Sequence, residues 1–184
     1  MSDKSDLIEE IHKDHKEIKD CYHNYKAAKD PEEAKKWFNQ FIWAVCTHII
    51  AKEMVLYTTM ESTNDKGKAL GEMSREDHRD LKQLLEDLRT EKDEDELEKK
   101  FDAAFRTLSE HMAMEEGEIL PFVKEHIPLE KRQAASKTYA MRKFLAPTKP
   151  HPWLPDKSTA LETGLGLIIT PIDKLRDMFK SYPE

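Results

Sequence analysis

Apolar residues at steps of three and four run through most of this chain, in separate bouts broken by short turns. The first bout is Leu7, Ile11, His15, Ile18, Tyr22 and Tyr25, which predicts a helix from about Lys4 to Lys29. Asp30-Pro31 ends it and opens the next, aspartate as N-cap and proline as the first helical residue. The second helix runs to about Met60, and Phe38, Phe41, Ile42, Val45, Ile49, Val55 and Leu56 cover more than one stripe, so it should be the most buried. Turn residues over Glu61 to Gly67 precede a third helix marked by Leu70, His78, Leu81, Leu85 and Leu88. A charged turn, Thr90 to Glu96, leads to a fourth carrying Leu97, Phe101, Ala104, Leu108, His111, Glu115, Ile119 and Phe122, ending near Lys124. Short connectors make consecutive helices antiparallel neighbours, so the expected fold is all-α, an up-and-down four-helix bundle.

The chain then changes character. The bundle occupies residues 1–126, and residues 127–184 form a C-terminal extension expected to pack on it. The extension has a short helix from about Leu129 to Leu145 and a stretch containing Pro147, Pro150, Pro152 and Pro155, read as extended. A last segment from Thr159, with Leu167, Ile168, Ile172, Leu175 and Phe179, reads as a short amphipathic helix on the outside.

Composition narrows the function classes. A net charge of -7 offers no basic patch for a phosphate backbone, so nucleic acid is not an expected partner. No stretch reaches the roughly 20 apolar residues that cross a bilayer, and the polar start Met1 to Glu10 is unlike a signal peptide, so no membrane partner and a cytoplasmic location are expected. Cys21 and Cys46 form no CxxC pair and read as reduced core residues.

His15, His48, His78 and His111 fall at intervals of 33, 30 and 33 residues, one in each predicted helix and each near its midpoint. In an antiparallel bundle, midpoints share one level along the axis, so the imidazoles can meet at one interior point. One histidine on an apolar face is usually a hydrogen-bonded core residue. A cluster without a metal would leave desolvated ring nitrogens, at about 1–3 kcal/mol for each unsatisfied group. Glu115, four residues after His111, lies beside it on the same face and interrupts an apolar stripe. Its neighbour Glu116 should face solvent. Glu53 interrupts the face of Ile42, Ile49, Leu56 and Met60 and is the sixth candidate metal ligand. Imidazoles with carboxylates and no thiolate suit iron, manganese or zinc. His12, His23, His126 and His151 read as surface or loop residues, and Tyr22, Tyr25 and Tyr57 as core or supporting residues about a turn or more from the ligand level.

Several segments in order resemble the hemerythrin-like HHE cation-binding family: Asp14-His15, His48 followed by Glu53 and Leu56-Tyr57, His78, and His111-Met112 with Glu115-Glu116 and Leu120-Pro121. The likeness covers roughly residues 5 to 125, and the tail PTKPHPWLPDK is similar to tails of stand-alone fungal members. The resemblance implies a non-haem di-iron site, ligands His15, His48, His78, His111 and Glu115, and a small diatomic such as O2 as partner on open iron positions. The sequence departs from the family where a bridging glutamate is usual four residues after the second histidine, because that residue is Lys52. Glu53 is one step further; at ~100° per residue an offset of five turns a side chain about 140° from its partner, against about 40° for an offset of four. Either Lys52 snorkels outward or the site holds one metal or none. The leading expectation is an iron protein that takes up O2 or a related diatomic, or iron itself, for storage, sensing or detoxification. The alternatives are a di-iron oxidase or oxygenase acting on an organic substrate beside the tail, and a structural or interaction bundle with a degenerate site.

Overall fold

The computed structural model describes residues 5–146 and 182–183. The first rod is α1, Leu7–Ala27. The second runs from α2, Pro31–Ala51, through one π-helical turn, Lys52–Leu56, into α3, Tyr57–Glu61. α4, Asp65–Thr90, is the third rod. The fourth joins α5, Glu94–Met114, through a π-helical turn, Glu115–Ile119, to α6, Leu120–His126. Among the described residues there is no strand, and the architecture is an all-α helical bundle.

Side chains fix where each rod begins. Asp6 and Glu9 form a reciprocal capping box, and Asp30 accepts from the Glu32 and Glu33 amides with Pro31 at the first turn. Asn64 accepts from Gly67 N, and Asp93 from Glu96 N. Such caps contribute about 1 kcal/mol each. The third helix therefore starts at Asp65, inside the segment read as a turn, because Asn64 satisfies its first amides. Gly67 is needed for close packing: a Cβ there would lie 2.3 Å from the Met60 carbonyl oxygen.

Two large apolar clusters make up most of the interior, with a small third one of Ile50 and Ala146. One gathers Ile18, Cys21, Phe41, Val45, Leu85, Phe101 and Leu108; the other gathers Ile11, Leu56, Met60, Leu70, Ile119 and Phe122. Each rod passes from one cluster to the other, and His15, His48, His78 and His111 lie at the crossing, so a polar layer separates the two. The second rod is the apolar centre. Pro31–Glu61 contains a window long and apolar enough to cross a membrane, which corrects the expectation that no stretch is, and 83% of the window is buried inside the bundle. Phe41, Val45, Ala51 and Leu56 are fully buried.

α7, Leu129–Leu145, packs on α1 and α2. Arg132 grips Asp6, the N-cap of α1, with Nη2 2.8 Å from Oδ2 and Nε 2.9 Å away. The proline-rich stretch and the segment from Thr159 fall outside the described residues.

Candidate metal centre

The four imidazoles predicted to meet do so. Ring centroids of His15 and His48 are 5.1 Å apart and those of His78 and His111 5.0 Å. His15 is 1% exposed, His48 and His78 0%, and His111 5%. Glu115, 0% exposed, stands between the pairs. Its Oε2 lies 3.3 Å from His15 Nε2, and its Oε1 3.4 Å from His111 Nε2. Two fully buried groups of three ligand atoms result, His15–His48–Glu115 and His78–His111–Glu115, each with its atoms within 4.8 Å of one another; a third such group, His12–His15–Glu116, includes the exposed His12.

Each ring is held from behind by a carboxylate. His15 Nδ1 is 2.7 Å from Glu116 Oε1, His48 Nδ1 3.0 Å from Asp14 Oδ2, His78 Nδ1 3.1 Å from Glu53 Oε1, and His111 Nδ1 3.1 Å from Asp77 Oδ2. A carboxylate accepts the Nδ1 proton, so each Nε2 is left with a lone pair facing inward, the tautomer a ligating histidine needs. Burial, and then the Lys52 charge, push His48 down to about 3, and the same causes hold His78 well below the usual range. Both rings are neutral near pH 7.

Glu53 is among these supports, not among the inward-facing ligand atoms. Its Oε1 is 2.8 Å from Lys82 Nζ as well as on His78 Nδ1, which makes it half of a buried ion pair behind the ring. The cause is the offset of five from His48: Glu53 turns away from the face His48 shares with Lys52. Glu116 likewise does not simply face solvent; its side chain is 34% exposed and holds His15.

Lys52 does not snorkel outward. It is 0% exposed, and its Nζ lies 2.7 Å from Glu115 Oε2 and 3.4 Å from His111 Nε2. Backbone bonds from its amide to the His48 and Ile49 carbonyls keep α2 regular to this point, so an offset of four puts Lys52 beside His48. Burial pulls the lysine below its ordinary value against the pull of Glu115; burial raises the glutamate, but Lys52 and the adjacent imidazoles outweigh it and hold Glu115 well below the carboxylate range.

Tyr57 belongs to the centre, not a turn or more away as regular helical spacing predicts. Its hydroxyl is 3.0 Å from His78 Nε2 and donates to Glu115 Oε1 at 2.9 Å. The π turn explains this: the Tyr57 amide bonds to the Lys52 carbonyl, so residues five apart share a face. Tyr22 and Tyr25 lie elsewhere, on Asp102 and Glu98. The extension also reaches the centre, since the Tyr139 hydroxyl is 2.8 Å from His48 Nδ1 and donates to Asp14 Oδ2 at 2.6 Å. Lys143 Nζ is 2.6 Å from Asp14 Oδ1.

The donor set fits a cation. His15 Nε2 and His48 Nε2 are buried without a hydrogen-bond partner, and the former faces a carboxylate oxygen with its lone pair. Desolvated lone pairs turned toward a carboxylate repel it, and a positive ion between them removes that cost.

Comparison with known proteins agrees. An uncharacterized hemerythrin-like protein of Schizosaccharomyces pombe is 32% identical over 179 residues, covering 96% of this chain and 88% of that protein. No solved structure matches. The Hemerythrin HHE cation binding domain matches residues 6–123, a span that holds every inward-facing imidazole and Glu115, and the chain belongs to the hemerythrin HHE cation-binding family.

Proposed function

We propose that this protein binds iron at the four-histidine layer and uses it to take up O2 or a related diatomic, for storage, sensing or detoxification in the cytoplasm, without a nucleic-acid or membrane partner. The observation that carries the metal is the common orientation of the rings, each Nδ1 on a carboxylate, with the Nε2 atoms of His15 and His111 on Glu115, that of His78 on Tyr57, and that of His48 buried without a partner. Imidazole and carboxylate donors without thiolate support iron over soft metals. Ligands 0–5% exposed between two apolar clusters favour a diatomic over an organic substrate. The tail, which motivates the oxidase or oxygenase alternative, lies outside the described residues.

The test is anaerobic reconstitution with ferrous iron, metal analysis, and then admission of air. Retained iron with a visible absorption band that comes with oxygen and leaves when oxygen is removed is the expected result. Protein that keeps no iron would fit the alternative of a structural bundle, for which the Lys52–Glu115 pair is the motive. Oxygen consumption that depends on an added organic compound would favour the enzyme.

A further inference from the structure

The two halves of the layer are not equivalent. In the His78–His111 half one inward nitrogen has a donor: Lys52 Nζ is 3.4 Å from His111 Nε2, while the Tyr57 hydroxyl, whose proton goes to Glu115 Oε1, lies 3.0 Å from His78 Nε2. In the His15–His48 half neither inward nitrogen has one. An ammonium that donates to a carboxylate and an imidazole presents positive charge to the same lone pairs that a metal ion would take.

We propose that Lys52 stands in for a second metal ion, so that the chain holds a single cation on His15, His48 and Glu115 while its own ammonium answers His111 and shares Glu115 with that cation. This rests on the metal-binding reading above and specifies its stoichiometry and its seat. Lys52 leaves a short way out for neither its stem nor its charge, being 0% exposed and tied to Glu115 Oε2 at 2.7 Å. A second divalent ion would have to sit against that charge in a buried interior, where repulsion is far stronger than in bulk water. Compensating charge is also committed elsewhere. Of the carboxylates behind the rings, Glu53 is paired with Lys82 and Asp14 with Lys143. Glu115 alone among the described carboxylates reaches both groups of ligand atoms, and its Oε2, 3.3 Å from His15 Nε2, already accepts from Lys52, so it has charge to spare for one ion at most.

The experiment loads the metal-free full chain anaerobically with excess ferrous iron, desalts it, and counts iron per chain by mass spectrometry. About one iron is expected for the natural chain and about two for Lys52→Glu, which restores a carboxylate at the bridging position. Two further variants locate the ion: His48→Ala should lose it and His78→Ala should keep it, each with helicity checked by circular dichroism. These keep the idea testable if Lys52→Glu does not fold. About two irons in the natural chain would overturn the inference and leave the metal-binding reading intact. Equal loss in His48→Ala and His78→Ala would overturn the assignment of the half. Iron in Lys52→Glu but none in the natural chain would mean that the ammonium displaces both ions, which also overturns it. No iron in either protein would sink the metal-binding reading itself.

Discussion

At the scale of single residues, the chemistry of this centre turns on which of two consecutive side chains faces inward. Lys52 and Glu53 are adjacent, both buried and both paired with an opposite charge, yet they do different work. Glu53 orients His78 from behind, and Glu115 is the carboxylate that lies between the rings. Glu115→Gln should therefore lose metal, whereas Glu53→Gln should keep it but lower stability by about 3 kcal/mol, because Lys82 is left as an unmatched buried charge. Metal content and urea midpoints of the two variants check this; loss of metal in Glu53→Gln would contradict the assignment. A pH dependence follows from His48, held at about 3 against an ordinary 6.5. Below pH 6.5 the unfolded chain takes up a proton that the folded ring refuses, so stability of the metal-free protein falls as pH drops from 6.5 toward 3 and is flat above. The slope approaches about 1.4 kcal/mol per pH unit for each such ring. Urea unfolding of chelator-treated protein at pH 7.5, 6 and 5 should show the decline, and His48→Gln should reduce it.

At the scale of elements, the histidines and Glu115 were legible because α-helical bookkeeping holds up to each of them. His15, His48, His78 and His111 lie on regular α-helix, and Glu115 is placed by amide bonds to the His111 and Met112 carbonyls. Beyond Lys52 and Glu115 the bonding changes to five-residue spacing for one turn, and a stripe drawn at three and four loses register there. That is why Tyr57 escaped the sequence reading, while Glu53, just inside the change, drew a ligand's role from its place among Ile49 and Leu56. The supports of His15 and His111 escaped for another reason: Glu116 and Asp77 are partly exposed carboxylates, and nothing in a single sequence separates them from other surface acids. α7 was visible as a helix, but its reach to the centre was not, since Tyr139 and Lys143 meet Asp14 only through tertiary packing. Removing the Tyr139 hydroxyl should loosen the support of His48. For Tyr139→Phe the expected effect is a weakening of iron affinity on the order of tenfold, read by chelator competition, with unchanged helicity. An unchanged affinity would reduce α7 to a packing element.

At the scale of the whole molecule, the polar layer interrupts the core midway along every rod, and the fold must hold it there away from bulk solvent. Two apolar clusters, one on each side, are joined through side chains that would repel one another if left alone: a carboxylate facing two inward lone pairs, with Lys52 answering only part of that charge. A cation held by His15, His48 and Glu115 would tie α1, α2 and the fourth rod together at the polar layer, so binding and folding are linked. The native state gains RT ln(1 + [L]/Kd), about 4 kcal/mol at a thousandfold excess over Kd, since the unfolded chain has no preformed site. For a domain of this size each kcal/mol moves the melting temperature by about 2–4 °C, so saturation should raise it on the order of 10 °C. Calorimetry of the metal-free and ferrous-loaded chain under anaerobic conditions reads the shift directly. His48→Ala should abolish the increment at the same ferrous concentration, while Lys52→Met, which removes the ammonium and adds no donor, should start from a lower metal-free melting temperature and still gain on loading. A gain of equal size in His48→Ala would show that the ion stabilises the molecule somewhere other than this layer.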